Sequence, residues 1–398
     1  MIKYNVCVVA QSDRSFFDKL SACCRPVFVV EDIRDSVVFE ETVKSILMKN
    51  GTHDAIHWVL TTNEAFVPAC AKLAERVGLP FMNFESAKLI RNKTELYKRL
   101  NQQGVRCPAS YALNDDISDL SSLDGKVAFP CVVKPTAGFA SMNVERVDDV
   151  DSLKRVLPQV RRNSSVRLGQ LNAELGIGES LLIQEFIHGS EFAVDFLVLD
   201  GRVQWLEVFA RNKASGSHFP DQLYARLTIA ERSKYFSSFL GTAQKVADAF
   251  DVRLGWMQVE LIVDERGEMH PCVIDAAYRL AGGGLNALVI EQATGHSPLE
   301  ALLNQRAPCA DQLSDHSVFL YYINPRRRGR FVRLRGQDEP RVQSSVLVSF
   351  IIPKAGDMVS ESVVSGRYFG ACIGKSENFS HALSLSEFFD RALVVEVE

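Results

Sequence analysis

Short unbroken apolar runs open the chain: Asn5–Ala10, Pro26–Val30 and Asp54–Leu60 each read as a buried strand. Between and after them apolar residues recur at helical spacing. The clearest case is Glu64–Val77, where positions 66, 67, 70, 73, 74 and 77 lie on one face. Gly78 follows as a C-terminal stop, because glycine enters the left-handed conformation without steric cost. Strand–helix alternation of this kind predicts a parallel sheet carrying helices. The turn after the first run, Ala10-Gln-Ser-Asp-Arg-Ser15, lacks the glycines that bring a backbone close to a dinucleotide. This part is therefore a nucleotide-type α/β unit without that fingerprint.

The pattern changes near Arg91. Asn92 can cap a helix from Lys93 to Gln103, and Gly104 ends it. Strands follow around Pro130–Lys134, Ser180–Gln184 and Glu191–Val198, and Asp200-Gly201 is a hairpin-turn signal. The stretch Arg161–Glu179 is polar, holds glycines at 169, 176 and 178, and reads as a loop. A long amphipathic helix is predicted over about Glu231–Phe250, with Phe236, Phe239, Leu240, Ala243, Val246, Ala247 and Phe250 on one side. Gly255–Val263 and Met269–Asp275 form a strand pair around Asp264–Gly267. The remainder reads as short strands, Ser344–Ile352 the strongest, with a helix near Ser384–Leu393.

Length and composition narrow the class. A chain of 398 residues sets a prior of two or three domains. A hydrophobic share of 46% and a charged share of 24% are those of a soluble globular protein with a large core. The net charge of -4 gives no electrostatic reason to expect nucleic acid or an acidic membrane. No apolar run reaches the roughly 18 residues of a membrane span, and the start lacks the layout of a signal peptide. The expected location is cytoplasmic. Nine cysteines are scattered without a CxxC pair, and eight histidines form no HxxxH, so neither a disulfide framework nor a zinc site is supported. A metal held by oxygen ligands remains open.

The strongest local signal is Phe129-Pro-Cys-Val-Val-Lys-Pro-Thr-Ala-Gly-Phe-Ala-Ser-Met-Asn-Val144. A strand ends on Lys134, a point charge suited to phosphate oxygens. The small residues Ala137, Gly138, Ala140 and Ser141 can bring backbone N–H groups to the same oxygens. Four further segments stand in fixed order around it. Upstream is Lys93-Thr-Glu-Leu-Tyr-Lys-Arg-Leu100. Downstream are Leu182-Ile-Gln-Glu-Phe-Ile-His-Gly-Ser-Glu191, Gly255-Trp-Met-Gln-Val-Glu260 and Val273-Ile-Asp-Ala-Ala-Tyr-Arg-Leu-Ala-Gly-Gly-Gly284. The run Arg326-Arg-Arg-Gly-Arg330 leads into an alternating strand without clustered aromatics, and reads as a solvated turn and edge strand.

This ordered set resembles the ATP-grasp superfamily of carboxylate–amine ligases, in particular the bacterial L-amino acid ligases, with biotin-carboxylase-like architecture. The resemblance covers the whole chain. It implies an α/β (α+β) protein with a Rossmann-like pre-ATP-grasp domain over 1–90 and an ATP-grasp core over 91–305. The lid falls at about 131–188, and a mostly-β C-terminal domain covers 306–398. Lys93 and Lys134 match the nucleotide lysines, Gly138 and Ser141 the phosphate loop, and Gln184, Glu185, Phe186 and Ile187 the adenine hinge. Glu191 matches the ribose acid, whose carboxylate accepts from two neighbouring hydroxyls. Glu260 and Asp275 match the metal-bearing acids. Arg279 matches the catalytic arginine of the transferring phosphoryl. His218, Gly282 and Gly283 fall where such ligases contact substrate. The implied cofactors are ATP with Mg2+ or Mn2+. The implied partners are a small carboxylate and a small amine, with amino acids as the expected class, neither nucleic acid nor membrane, and a homodimer as the candidate assembly.

One departure stands out. The family pattern Glu-x-Asn-x-Arg here reads Asp275-Ala276-Ala277-Tyr278-Arg279, and Ala277 cannot ligate a metal. Asn286 is the nearby candidate to replace it. The implied reaction joins a carboxylate to an amine through an acyl phosphate, releasing ADP and phosphate. Two rivals stay open: a non-catalytic ATP-binding regulator, motivated by Ala277, and a biotin-carboxylase-like carboxylating subunit.

Overall fold

The computed structural model describes residues 4–9, 24–30, 33–113, 127–138, 141–174, 181–213, 221–264, 270–360 and 369–398. Strands β1 (Tyr4–Val9), β2 (Cys24–Val30) and β3 (Trp58–Thr61) form a parallel sheet in the order β2-β1-β3. Cys7 and Val9 pack under α1 (Ser36–Lys49) and α2 (Val67–Val77), whereas Val6 and Val8 pack on the opposite side against the central core. Burial on both faces is why this strand is an unbroken apolar run. The helix expected from Glu64 begins with a 3-10 turn, Glu64–Phe66, and turns α-helical at Val67, with Pro68 in its first turn and Gly78 closing it at φ 70°. Helices α3 (Phe84–Arg91) and α4 (Lys93–Gln102) follow. The Asn92 side chain caps α4 by accepting from the N–H groups of Thr94 and Glu95.

Next comes a four-stranded antiparallel sheet in the order β4-β7-β5-β6, built from β4 (Ser110–Leu113), β5 (Cys131–Pro135), β6 (Glu145–Val147) and β7 (Leu181–Glu185). It is covered by α5 (Val150–Glu174), which corrects the loop expected over Arg161–Glu179. The apolar anchors of this helix, Leu153, Leu157 and Val160, lie upstream of the polar stretch. They pack on Cys131, Val133, Leu181 and Ile183, and the helix runs on from that docked turn through Gly169. A glycine inside a helix costs only about 1 kcal/mol relative to alanine. Tertiary packing outweighed composition here.

The centre of the molecule is an eight-stranded antiparallel sheet in the order β12-β11-β8-β9-β10-β13-β17-β15. Its strands are β8 (Ser190–Leu199), β9 (Arg202–Lys213), β10 (Asp221–Arg226), β11 (Gly255–Val263), β12 (Cys272–Ala277), β13 (Ser317–Ile323), β15 (Val346–Ile351) and β17 (Gly370–Ser376). Asp200 and Gly201 make the β8–β9 turn at φ 50° and 76°. Helix α6 (Ile229–Ala249) enters through a capping box of Thr228 and Glu231 and packs Phe239, Ala243, Val246 and Ala247 on one face of the sheet. Phe236 is corrected: it is 37% exposed rather than part of that face. On the other face α7 (Leu285–Thr294) and α8 (Pro298–Leu303) cover the apolar part and leave a row of polar side chains at the β12 end.

Past residue 305 the sheet continues without a break, because β13 pairs with β10. The strand expected over Ser344–Ile352 is shortened by α9 (Pro340–Ser345), and the last helix, α10 (Phe379–Ala392), starts earlier than expected because Asn378 caps it. Strand β14 (Gly329–Arg335) carries Arg333 and Arg335, which pair with Glu396 of β18 (Val394–Val397), so these arginines serve a solvated strand pair. Among the described residues no helix is long and apolar enough to cross a membrane.

The packing of α6 predicts a contrast. Phe239→Ala, at 1% exposure, should lower stability by about 3–5 kcal/mol, and Phe236→Ala by less than about 1 kcal/mol, in urea unfolding. Equal losses would contradict this orientation of the helix.

Candidate functional site

The polar row on the sheet is fixed by strand register. Glu260 of β11 stands directly opposite Asp275 of β12, and Gln258 opposite Ala277. The period of two along a strand puts Glu260 and Gln258 on the same face, and Glu191 and Asp195 of β8 join them there. Each acid of the opposed pair is matched by a buried cation. Lys93 Nζ lies 2.9 Å from Asp275 Oδ2, and Arg211 Nη1 lies 2.8 Å from Glu260 Oε2 and 2.6 Å from Glu191 Oε1. Arg211 also pairs with Asp221 and stacks on the Tyr224 ring at 4.6 Å. Burial pushes the Asp275 carboxyl above its ordinary range, Lys93 opposing and Glu64 and Glu260 adding to the push. Burial works against the charge of Arg211, but Glu191, Glu260, Tyr224 and Asp221 outweigh it and hold the guanidinium firmly protonated.

The phosphate-type loop meets this row. Lys93 Nζ donates to the Gly138 carbonyl at 3.2 Å, and the Lys93 N–H donates to the Thr136 carbonyl at 3.0 Å. Lys134 Nζ donates to Tyr97 Oη at 2.9 Å and to the Ile274 carbonyl at 3.4 Å, beside Asp275. Tyr97 Oη in turn donates to the Ile274 carbonyl at 2.7 Å and accepts from Gln184 Nε2 at 2.9 Å. Lys134 and Gln184 are thus linked through one phenol, which reaches the Ile274 carbonyl next to Asp275, the partner of Lys93. Ser141 adopts φ 53° in the same loop, and Ala140 lies outside the described residues.

Further along the hinge, Glu185 is exposed and accepts from the Ala109 N–H at 3.1 Å. Phe186 stacks edge-on with His188 under the Arg146 guanidinium, and Ile187 is half-buried. Gly189, at φ 144°, turns the chain into β8; a Cβ there would lie 2.2 Å from the Val263 carbonyl oxygen.

Arg279 reaches the first domain. Its Nη2 donates to Glu64 Oε2 at 2.9 Å, and Glu64 also pairs with buried Arg91, whose Nη2 donates to the Ala137 carbonyl at 2.7 Å. Burial disfavours the Glu64 charge, but Arg91, Arg279 and Lys93 outweigh it and keep the carboxyl below its ordinary range. Arg279 Nη1 is buried and has no hydrogen-bond partner among the described residues. Gly282 and Gly283 follow at φ 61° and 65°. A Cβ on Gly282 would sit 2.8 Å from Asn286 Oδ1, so only glycine fits this turn.

Asn286 is fully buried and donates to Asp195 Oδ2 at 3.1 Å, and Gln258 donates to Asp195 Oδ1 at 2.9 Å. The amide nitrogen is thereby tied to Asp195, not to Glu260 or Asp275. Burial raises the Asp195 carboxyl to about 6, with Asn286, Gln258 and Arg279 opposing. His218 lies outside the described residues.

The structure brings Lys93, Lys134, Gly138, Gln184, Glu191, Glu260, Asp275 and Arg279 into one connected network. Sequence reasoning missed Glu64, Arg91, Tyr97, Asp195, Arg211, Asp221 and Gln258. Tyr97 had a signal, since it lies one helical turn after Lys93. The donor set fits one divalent ion: two in-register oxygen acids, each 22% exposed. Among the described residues no cluster of three or more His, Cys, Asp or Glu joins them.

Comparison with known proteins adds an independent line. Residues 127–286 match the family model of the ATP-grasp domain. The chain is 24% identical over 368 residues to an L-arginine-specific L-amino acid ligase of Bacillus subtilis, spanning 90% of this chain and 84% of that protein. Its fold is similar to that of an L-amino acid ligase from Bacillus licheniformis, with a TM-score of 0.81 at 20% identity over 100% of this chain and 99% of the other. It is also similar to the biotin carboxylase domain of a 2-oxoglutarate carboxylase from Hydrogenobacter thermophilus, solved with MgADP, ADP and bicarbonate. There the TM-score is 0.68 at 14% identity, over 100% of this chain and 92% of the other.

The buried Asp195 predicts a pH effect. Its folded-state value of about 6 lies above the ordinary 3.8, so the native state holds the proton more tightly. Stability from this group is full below pH 3.8 and is lost as pH rises through about 6, by about 3 kcal/mol in all. Asp195→Asn should remove that slope from the pH profile of urea unfolding. A parallel profile in the variant would show that Asp195 titrates normally.

Proposed function

We propose that this chain, a member of the ATP-grasp superfamily, is an ATP-dependent ligase that joins a carboxylate to an amine on amino acid substrates. The observation that carries the reading is Arg279. Its guanidinium is buried, held on one side by Glu64, and its Nη1 has no hydrogen-bond partner among the described residues, next to a glycine turn. Such a group serves an oxyanion that develops beside it. The names of the relatives support amino acids as the substrate class, and the MgADP of one structural neighbour supports a magnesium nucleotide.

In this reading Glu260 and Asp275 hold the magnesium, which supplies charge that offsets the phosphate oxygens. Lys93 and Lys134 turn toward the phosphates from the loop ending at Gly138 and Ser141. Gln184, Glu185, Phe186 and Ile187 receive the base, and Glu191 receives the ribose hydroxyls. The substrate carboxylate attacks the γ-phosphorus, the bond to the ADP oxygen breaks, and an acyl phosphate forms. The amine then attacks the acyl carbon, phosphate leaves, and the amine loses a proton. Arg279 stabilises charge on the moving phosphoryl, while Gly282 and Gly283 let the substrate approach the backbone. We place the protein in the cytoplasm, where the free thiols among its described cysteines are at home.

A second reading, an ATP-binding regulator, rests on Ala277. Amine-dependent release of phosphate across a matrix of amino acid pairs separates the two. The ligase reading expects ADP and phosphate from at least one pair; no stimulation by any pair, or AMP as the product on chromatography, would overturn it. With an active pair, Arg279→Ala should lower kcat by about 100- to 1,000-fold and leave nucleotide affinity nearly unchanged. Lys134→Ala should instead weaken nucleotide binding by about 1.5–3 kcal/mol in calorimetry. Equal effects of the two variants on affinity would refute this division of labour.

A further inference from the structure

Past Gln258 the face that carries the acids turns apolar. Trp256 lies on it two residues before Gln258, and the β11–β12 register, carried two residues beyond Ala277, sets Arg279 opposite Trp256. Both side chains line a narrow crevice between the central sheet and the first domain. Its walls are apolar: Trp58 and Leu60 of β3, Phe81, and Leu302 of α8. Trp256 and Arg279 each carry a buried donor, Nε1 and Nη1, without a hydrogen-bond partner among the described residues. Trp256 is 2% exposed, so surface water does not serve its N–H. The neighbouring indole shows the ordinary outcome, since Trp205 Nε1 donates to Glu207 Oε1 at 2.9 Å. Thr61 and Tyr278 also line the crevice, but Thr61 is tied to Asn63 and the Tyr278 hydroxyl to the Leu254 carbonyl. Among the described residues no carboxylate lines it.

We infer that this crevice seats the acid substrate: the Trp256 N–H holds one carboxylate oxygen, the other lies beside Arg279, and Trp58, Leu60 and Leu302 close around a small uncharged side chain. The inference rests on the ligase reading for the reaction, but not for the binding of a carboxylate at Trp256. Two N–H donors among apolar walls suit a group that only accepts, and an ionised carboxylate is such a group. The acid must attack phosphorus from the side opposite the ADP oxygen. The crevice meets that demand, because it opens at the end of the strand pair away from Glu260 and Asp275. Its narrowness leaves room for a methyl-sized group beside the carboxylate. A guanidinium or ammonium chain would lie there without a counter-charge, which is costly away from water. The α-ammonium of an amino acid finds no carboxylate in the crevice and stays on the side of the polar row.

Tryptophan emission tests the seat directly, because Trp58 and Trp256 line the crevice and Trp205 stacks edge-on against Trp256. The full chain, saturated with Mg2+ and the non-hydrolysable β,γ-imido analogue of ATP, is titrated with L-alanine, L-leucine and L-arginine. L-Alanine should change the emission of the wild type, and bind about tenfold or more tightly than the other two. Trp256→Phe keeps a ring and removes the N–H. It should weaken L-alanine binding about tenfold or more, with the affinity for the analogue unchanged in calorimetry. Leu302→Ala widens the wall and should bring L-leucine to within about threefold of L-alanine. No emission response to L-alanine would overturn the inference. So would an unchanged affinity in a Trp256→Phe protein with a wild-type melting curve, or L-arginine binding the wild type as tightly as L-alanine. If Trp256→Phe does not fold, the wild-type preference and its loss or persistence in Leu302→Ala decide. Failure of the analogue to bind would strike the ligase reading instead, while the nucleotide-free titration with L-alanine still reads the crevice.

Discussion

Two carboxylates facing each other across adjacent strands repel, and burying them makes the repulsion worse, because the surrounding medium screens less than water does. Glu260 and Asp275 are in that position through the β11–β12 register alone. The sheet tolerates them because Arg211 comes from two strands away on one side and Lys93 from a helix N-terminus on the other. Much of the surrounding architecture serves that arrangement. The Asn92 cap fixes where α4 begins and hence where Lys93 points. The 3.0 Å bond from Lys93 N–H to the Thr136 carbonyl holds the loop after β5 against the helix. A site whose acids already carry cations is prepared for a ligand that exchanges those cations for a metal and a polyphosphate.

The second constraint joins the first domain to the core. Glu64 stands at the start of a 3-10 turn and links Arg91 to Arg279. Arg91 continues to the Ala137 carbonyl in the loop after β5. The loop after β5 and Arg279 are thus linked through one carboxylate. In the proposed reaction this link joins the phosphate-side loop to the arginine assigned to the transferring phosphoryl.

Much of this was legible in the chain. Glu260 and Asp275 were recognisable because Gly255–Glu260 and Val273–Gly284 resemble, in order, the motifs of a known family; alternation alone does not single them out. Lys134 stood out as a strand-end charge before a small-residue loop, and the ordered segments around it gave that position its weight. Other parts were hidden for physical reasons. Arg211 lies in a strand whose alternation hides which face is wet, and a buried arginine has no local signature apart from its distant partners. Glu64 is only the first residue of the predicted Glu64–Val77 helix, and nothing near it in the chain marks its distant partners Arg91 and Arg279. The α5 helix was masked because its docking residues, Leu153, Leu157 and Val160, precede the polar stretch that the composition emphasised. Tertiary partners decide such cases, and one sequence does not display them.

The central claim is that the acids, lysines and Arg279 serve attack of a carboxylate on the γ-phosphorus. The most direct measurement follows oxygen. An active amino acid pair is turned over with the acid labelled with ¹⁸O in its carboxylate, and the phosphate released is examined by ³¹P nuclear magnetic resonance. The account predicts that the phosphate carries one oxygen from the carboxylate, left behind when the amine displaces it. Unlabelled phosphate, with solvent oxygen in its place, would contradict the acyl phosphate and with it the role assigned to the site.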